Sequence, residues 1–155
     1  MSDSEERTPG VIAPPPLLYL GPLLAGLLLD RLLPLPRLPG RLRLAGLPLL
    51  AAGISLAGSF FVSMRRAGTP VDPYQPPTAL VVDGPFRHTR NPAYVGLTLC
   101  YAGVALLAGG RWPWLLLPGV IATVNHGVIA REERYLEARF GRDYQDYRRR
   151  VRRWL

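Results

Sequence analysis

The sequence predicts an all-α integral membrane protein, with about four transmembrane helices followed by a C-terminal amphipathic helix. Three observations point there. Apolar residues make up 48% of the 155 positions although 19% are charged. The two kinds are segregated: long apolar stretches run from Leu17 to Val62 and from Tyr94 to Ala130, and the charges collect between and after them. The last stretch, "REERYLEARFGRDYQDYRRRVRRWL", sets Tyr135, Leu136, Phe140, Tyr144, Tyr147 and Val151 among charges at helical spacing.

Each element can be justified in turn. Residues 1–13, beginning "MSDSEERTPG", read as a disordered polar tail; they are acidic and carry no secretory signal. Residues 14–64 hold two spans. The first, "LLYLGPLLAGLLLDRLL" (17–33), reaches ~25 Å at ~1.5 Å per residue, a little short of a ~30 Å bilayer core. Asp30 and Arg31 near its end can snorkel to the interface. A Pro/Gly turn with Arg37, Arg41 and Arg43 leads to the second span, 44–62, where Gly53 and Ala57 allow a neighbouring helix to approach closely. Residues 65–92 form a long polar loop, of the kind that usually has a function. The third span runs from about Ala93 to Gly109, and "GGRWPW" turns the chain with two interfacial Trp. The fourth runs from Trp114 to about Ala130, kinked at Pro118 and carrying Asn125 and His126; Gly141 interrupts the amphipathic helix that follows.

Four spans place both termini, and with them the long loop and the C-terminal helix, on one side of the membrane. The Arg-rich tail argues that this side is the cytoplasm. Arg37, Arg41 and Arg43 then fall on the other side, against the rule. Formal net charge is +8, and all 19 basic residues are Arg. Such an excess suits nucleic acid or an anionic membrane surface, and the apolar segments select the membrane. The single Cys, Cys100, lies in an apolar run, which excludes an internal disulfide and reads as a small buried hydrophobe. Cys100, His88 and His126 have no metal-ligand spacing, so neither metal nor nucleic acid is expected.

The densest polar cluster, "GPFRHTRNPAY" (84–94), sits at the mouth of the third span. Pro85 and Pro92 stop a helix from running through it. Together with the C-terminal stretch it resembles the isoprenylcysteine carboxyl methyltransferase family, which is related to the phospholipid methyltransferases. That family has an Arg-His-Pro-x-Tyr-x-Gly element at a helix start; here it reads "RNPAYVG", Arg90 to Gly96. A second element, Glu-Glu-x-x-Leu-x-x-x-Phe-Gly-x-x-Tyr-x-x-Tyr, matches at Glu132, Glu133, Leu136, Phe140, Gly141, Tyr144 and Tyr147. The likeness covers about residues 70–155. Two departures stand out: Asn91 replaces the usual His, and Phe86 stands where a Tyr is frequent.

The resemblance implies an integral membrane enzyme that uses S-adenosylmethionine, its methyltransferase region spanning 65–155. The implied cofactor site comprises the loop Thr78, Ala79, Leu80 and Val81, then Phe86, Asn91, Pro92, Ala93 and Tyr94. An acid completes it, Glu132 or Glu133, with Glu133 preferred. Arg131 and Arg90 are the implied catalytic residues. The substrate is a lipophilic small molecule or lipid, with membrane lipids as the other partners. An Arg-only composition fits a GC-rich bacterium, hence an inner membrane with the site facing the cytoplasm.

The residues themselves suit that chemistry. Tyr94 and Phe86 offer aromatic faces to adenine or a cation. No Gly-x-Gly-x-x-Gly follows a strand, which argues against a Rossmann-type methyltransferase. Methyl transfer to an anionic acceptor needs no nucleophilic side chain, and none is arranged as one. Plainer readings exist: Arg87, Arg90 and Tyr94 as interfacial anchors, one of the two Glu paired with a nearby Arg, and His126 as a packed polar residue. Two alternative functions stay open, an NADPH-dependent membrane reductase of the sterol-reductase type and a non-catalytic scaffold.

Overall fold

The computed structural model describes residues 13–72 and 75–155. The expected N-terminal tail therefore lies, apart from Ala13, outside the described residues. Every regular element among them is helical. In chain order these are α1 (Pro15–Leu32), the single turn α2 (Gly40–Leu44), α3 (Gly46–Arg66), a 3₁₀ turn (Gly84–Arg87), α4 (Pro92–Ala108), α5 (Trp112–Val124), a π-turn (Asn125–Ile129), α6 (Ala130–Phe140) and α7 (Arg142–Arg150).

Two helical stretches, Gly40–Arg66 and the one beginning at Trp112, are long and apolar enough to cross a membrane. α4 is apolar but has 17 residues, and α1 carries Asp30 and Arg31 in its last turn. The outward faces are nonetheless oily. Leu20, Leu24 and Leu28 on α1, Leu47, Ile54 and Phe61 on α3, and Leu115 on α5 are all exposed. A surface of that kind suits lipid rather than water.

α4 is the axis of the bundle, with α3 on one side and α1 and α5 on the other. α3 and α4 run antiparallel and meet through glycines spaced seven residues apart on each helix: Gly46 faces Gly103, and Gly53 faces Gly96. The fit there is backbone against backbone. A Cβ on Gly53 would stand 2.6 Å from Cys100 Sγ and 2.8 Å from both the Cys100 nitrogen and the Gly96 carbonyl. Gly53→Ala should therefore cost about 1–3 kcal/mol by overpacking, read as a lower unfolding midpoint in detergent. Gly58, on the same helix with open space at its Cβ, is the control that should tolerate Ala.

On the far side of α4, Tyr19 of α1 bonds Thr98 Oγ1 at 2.9 Å, and Tyr101 donates to the Pro113 carbonyl at 2.8 Å. These aromatics and Val120, Val124, Val128 and Ile129 form the core. The end of the bundle that carries the short connections is closed by charges. Asp30 Oδ1 accepts the N–H groups of Arg111 (3.0 Å) and Trp112 (3.3 Å), capping the start of α5. Arg43 donates from Nε and Nη2 to the Leu107 carbonyl at 3.1 and 3.0 Å. It thereby satisfies one of the free carbonyls at the end of α4.

Two local expectations are refined. "GPFR" does form one turn, a 3₁₀ turn with Pro85 at its start, where the missing N–H costs nothing. α5 continues through Pro118, and a further irregularity follows it, the π-turn at Asn125–Ile129. π-turns of this kind concentrate at functional sites. Gly141 ends α6 as expected, with φ +53°, where a side chain would be strained.

Candidate active site

At the other end of the bundle the start of α4 meets the end of α3, the 67–91 loop, α6 and α7. Between them lies a cavity of about 370 Å³. One wall is apolar: Ala57, Phe60, Phe61 and Met64 of α3, Leu97 of α4, and Pro15 and Pro16 at the start of α1. The opposite wall carries the polar groups. Of the sequence-derived candidates, Ala79, Leu80, Val81, Phe86, Arg90, Asn91, Pro92, Ala93, Tyr94, Glu132 and Glu133 line the cavity. Thr78 does not; its hydroxyl donates to the Gly68 carbonyl and its N–H to Thr69 Oγ1, both at 3.0 Å, which folds the loop on itself. Arg131 is exposed on α6 and lies outside the lining.

The two adjacent glutamates have different surroundings. Glu133 is buried and fully engaged. Its Oε1 is 3.1 Å from Arg90 Nη2, and Arg153 grips both its oxygens through Nε and Nη2. Glu132 has no cation in contact among the described residues. It accepts one hydrogen bond, from the Tyr94 hydroxyl at 2.7 Å. Removal from water raises its pKa above the usual carboxylate range; the Tyr94 bond opposes this and the neighbouring Glu133 charge adds to it.

Arg90 is the counterpart. Its side chain is only 9% exposed and reaches Glu133 through Nη2. Its Nε and Nη1 are buried with no hydrogen-bond partner among the described residues. Buried guanidinium donors without partners are costly. Asn91 is buried beside it, but its amide nitrogen turns outward to the Arg153 carbonyl at 2.9 Å. Arg87 pairs with Asp83 on the surface, and His88 and His126 are exposed.

Several contributors were not among the candidate site residues drawn from the sequence. Tyr144 and Tyr147, three apart on one face of α7, line the cavity. Burial, the dominant cause, pushes the Tyr144 hydroxyl up to about 12 and raises that of Tyr147, so both stay protonated donors at neutral pH. Tyr147 uses its proton on the Phe86 carbonyl at 2.8 Å, pinning α7 to the 3₁₀ turn. Phe86 in turn lies 5.8 Å, centroid to centroid, from Phe60. The amphipathic spacing of the tail was the signal for both Tyr. Arg153 and Thr89 gave none, because their roles depend on a contact across more than sixty residues: the Arg153 carbonyl accepts the Thr89 hydroxyl at 3.1 Å.

An uncharacterized protein of Haemophilus influenzae is 42% identical over 62 residues, 40% of this chain and 98% of that protein. A protein-S-isoprenylcysteine O-methyltransferase of Schizosaccharomyces pombe is 36% identical over 72 residues, 46% of this chain. That match spans 30% of the yeast protein's length. No solved structure matches. The family description "Phospholipid methyltransferase" matches residues 42–143, from α2 through the start of α7. The chain is a member of the phospholipid methyltransferase family.

Proposed function

We propose that the chain is a membrane-embedded, S-adenosylmethionine-dependent methyltransferase acting on a lipophilic acceptor: a carboxylate, a thiol or a lipid headgroup. One observation carries the reading. One cavity is lined by two groups whose bonding is incomplete among the described residues: Arg90, paired with Glu133 but with Nε and Nη1 unpartnered, and the carboxyl of Glu132, bonded only by the Tyr94 hydroxyl. A zwitterionic amino-acid moiety beside a nucleoside brings the complement of both. The cavity volume also falls within the ~300–1,000 Å³ typical of small-molecule sites.

When bound, S-adenosylmethionine supplies a methyl group activated by a sulfonium. The chain's own residues hold and orient. Arg90 takes a carboxylate, and Glu132 takes an ammonium or ribose hydroxyls, with Tyr94 fixing the direction of its carboxylate. Ala79, Leu80, Val81, Phe86, Pro92 and Ala93 provide backbone groups and an apolar wall. Asn91 holds the start of α4 in place. The preference between neighbours passes from Glu133 to Glu132, because Glu133 is committed to two arginines. Arg131, outside the lining, is left without an acceptor role. Positioning and exclusion of water do the chemical work, since a dry cavity does not oppose the merging of opposite charges. The apolar wall of Phe60, Phe61, Met64 and Leu97 suits the tail of the acceptor.

In the bilayer α1, α3, α4 and α5 form four spans. The cavity end, with the arginines of α7, faces the cytoplasm. Labelled S-adenosylmethionine and NADPH, offered to the detergent-purified chain, test the reading, followed by methyl transfer into lipid extracts. Binding of the methyl donor with label appearing in a lipid fraction is the expected result. Binding of NADPH alone would hand the reading to the reductase alternative.

A further inference from the structure

We infer that Arg153 is a positioning residue: by taking both oxygens of Glu133 it keeps Arg90 from doing so, and so presents the remaining Arg90 donors to a carboxylate in the cavity. The inference rests on the proposed methyltransferase site and names the device that makes its anion-binding half. Its basis is an unequal sharing of one carboxylate. Arg153 approaches Glu133 side-on, Nε to Oε1 at 3.1 Å and Nη2 to Oε2. This is the strong bidentate geometry of an arginine–carboxylate pair. Arg90 is left with a single approach to Oε1, through Nη2. Its Nε and Nη1 have no partner among the described residues, although the side chain is nine-tenths buried. Two guanidinium groups against one carboxylate also leave the cluster with one net positive charge.

Arg153 is itself held for this task. Its Nη1 donates to Asn125 Oδ1 at 3.1 Å, on the π-turn, and Trp154 Nε1 reaches the same oxygen at 3.4 Å. Its carbonyl accepts from Thr89 and Asn91, and the Arg152 carbonyl accepts the Arg90 N–H at 2.9 Å. The segment after α7 thus clamps the residues before α4 from both backbone and side chain. With Arg153 absent, Arg90 could close its own fork on Glu133, and the cavity would lose both its free donors and its excess charge.

The carboxylate belongs either to the methyl donor or to the acceptor, and paired probes on the full chain in detergent separate the two. One pair is S-adenosylmethionine and its decarboxylated form; the other is palmitate and hexadecanol. Arg153→Gln is expected to weaken one carboxylate probe by about tenfold or more and its partner by no more than about twofold. Loss on the nucleoside pair assigns the donor's carboxylate, and loss on the fatty-acid pair assigns the acceptor's. Arg153→Lys keeps the charge without a planar fork and should fall between wild type and Gln; it is also the variant to use if Gln does not fold. Equal losses within a pair, or none in either, overturn the inference. If the wild type binds neither nucleoside, the methyltransferase reading fails while the fatty-acid pair still decides the role of Arg153. A ligand-free readout stands beside these. The Arg90 Nε–H resonance should shift in Arg153→Gln as that donor turns onto Glu133, and an unmoved resonance also overturns the inference.

Discussion

Glu133→Ala is expected to destabilise the protein by about 3–5 kcal/mol, the range for removing one partner from a buried ion pair. The reason is what remains. Arg90 keeps its place, 9% exposed, with its charge uncompensated, and Arg153 loses the carboxylate it grips with two nitrogens. The segment after α7 is then held against Thr89 and Asn91 by backbone acceptors alone. Thermal unfolding in detergent reads the effect directly. The double variant with Arg90→Met should recover part of the loss, because the orphaned charge goes with the arginine. If Glu133→Ala unfolds at the wild-type midpoint and only binding suffers, Glu133 is a ligand contact and not the hub of the cluster.

The second expected result divides stability from binding at one residue. Glu132→Gln should raise the unfolding midpoint of the ligand-free protein at pH 8 and weaken donor binding by ~1.5–3 kcal/mol, about 10- to 150-fold. Folding raises the pKa of this carboxyl, chiefly by burial, so the folded chain disfavours its ionised form. The penalty is absent below the ordinary carboxylate range and fully present above the raised value. An amide removes it, so the stabilisation should appear at pH 8 and vanish near pH 4. Binding an ammonium favours the ionised form, so donor affinity should fall as pH drops through the same range, with a proton released on binding. Calorimetry in two buffers of different ionisation enthalpy measures that proton. Loss of stability in Glu132→Gln at pH 8, or donor binding without proton release, would remove Glu132 from the ligand's cationic side.

The different surroundings of the adjacent glutamates show where reading from residues ran out. "EE" offered two equivalent carboxylates, and the preference between them had no physical basis in the chain. Their separation comes from which side of α6 each occupies. Glu133 turns to Arg90 and Arg153; Glu132 turns to Tyr94. Arg131, one position earlier, faces away for the same reason of helical rotation, so proximity in sequence to an acid did not bring it to the lining. Thr78 lies outside the lining for another reason: its loop's own hydrogen bonds hold it.

Much was nevertheless legible from order and composition alone. Long apolar runs and the helical spacing of the tail pointed to the helical class, and prolines and glycines marked element ends: Pro92 opens α4 and Gly141 closes α6. Small residues at Gly53 and Ala57 announced a close helix contact, and six residues of the polar stretch 84–94 line the cavity. These are local properties, written in propensity and spacing. The charge balance of the site was decided in three dimensions. Residue 90 pairs with residue 133 because the bundle brings the start of α4 beside α6, and residue 153 joins them because the chain after α7 folds back. Contacts between segments dozens of residues apart leave no period in the sequence, and which nitrogen of an arginine stays unpaired is settled only once every neighbouring acceptor has its place.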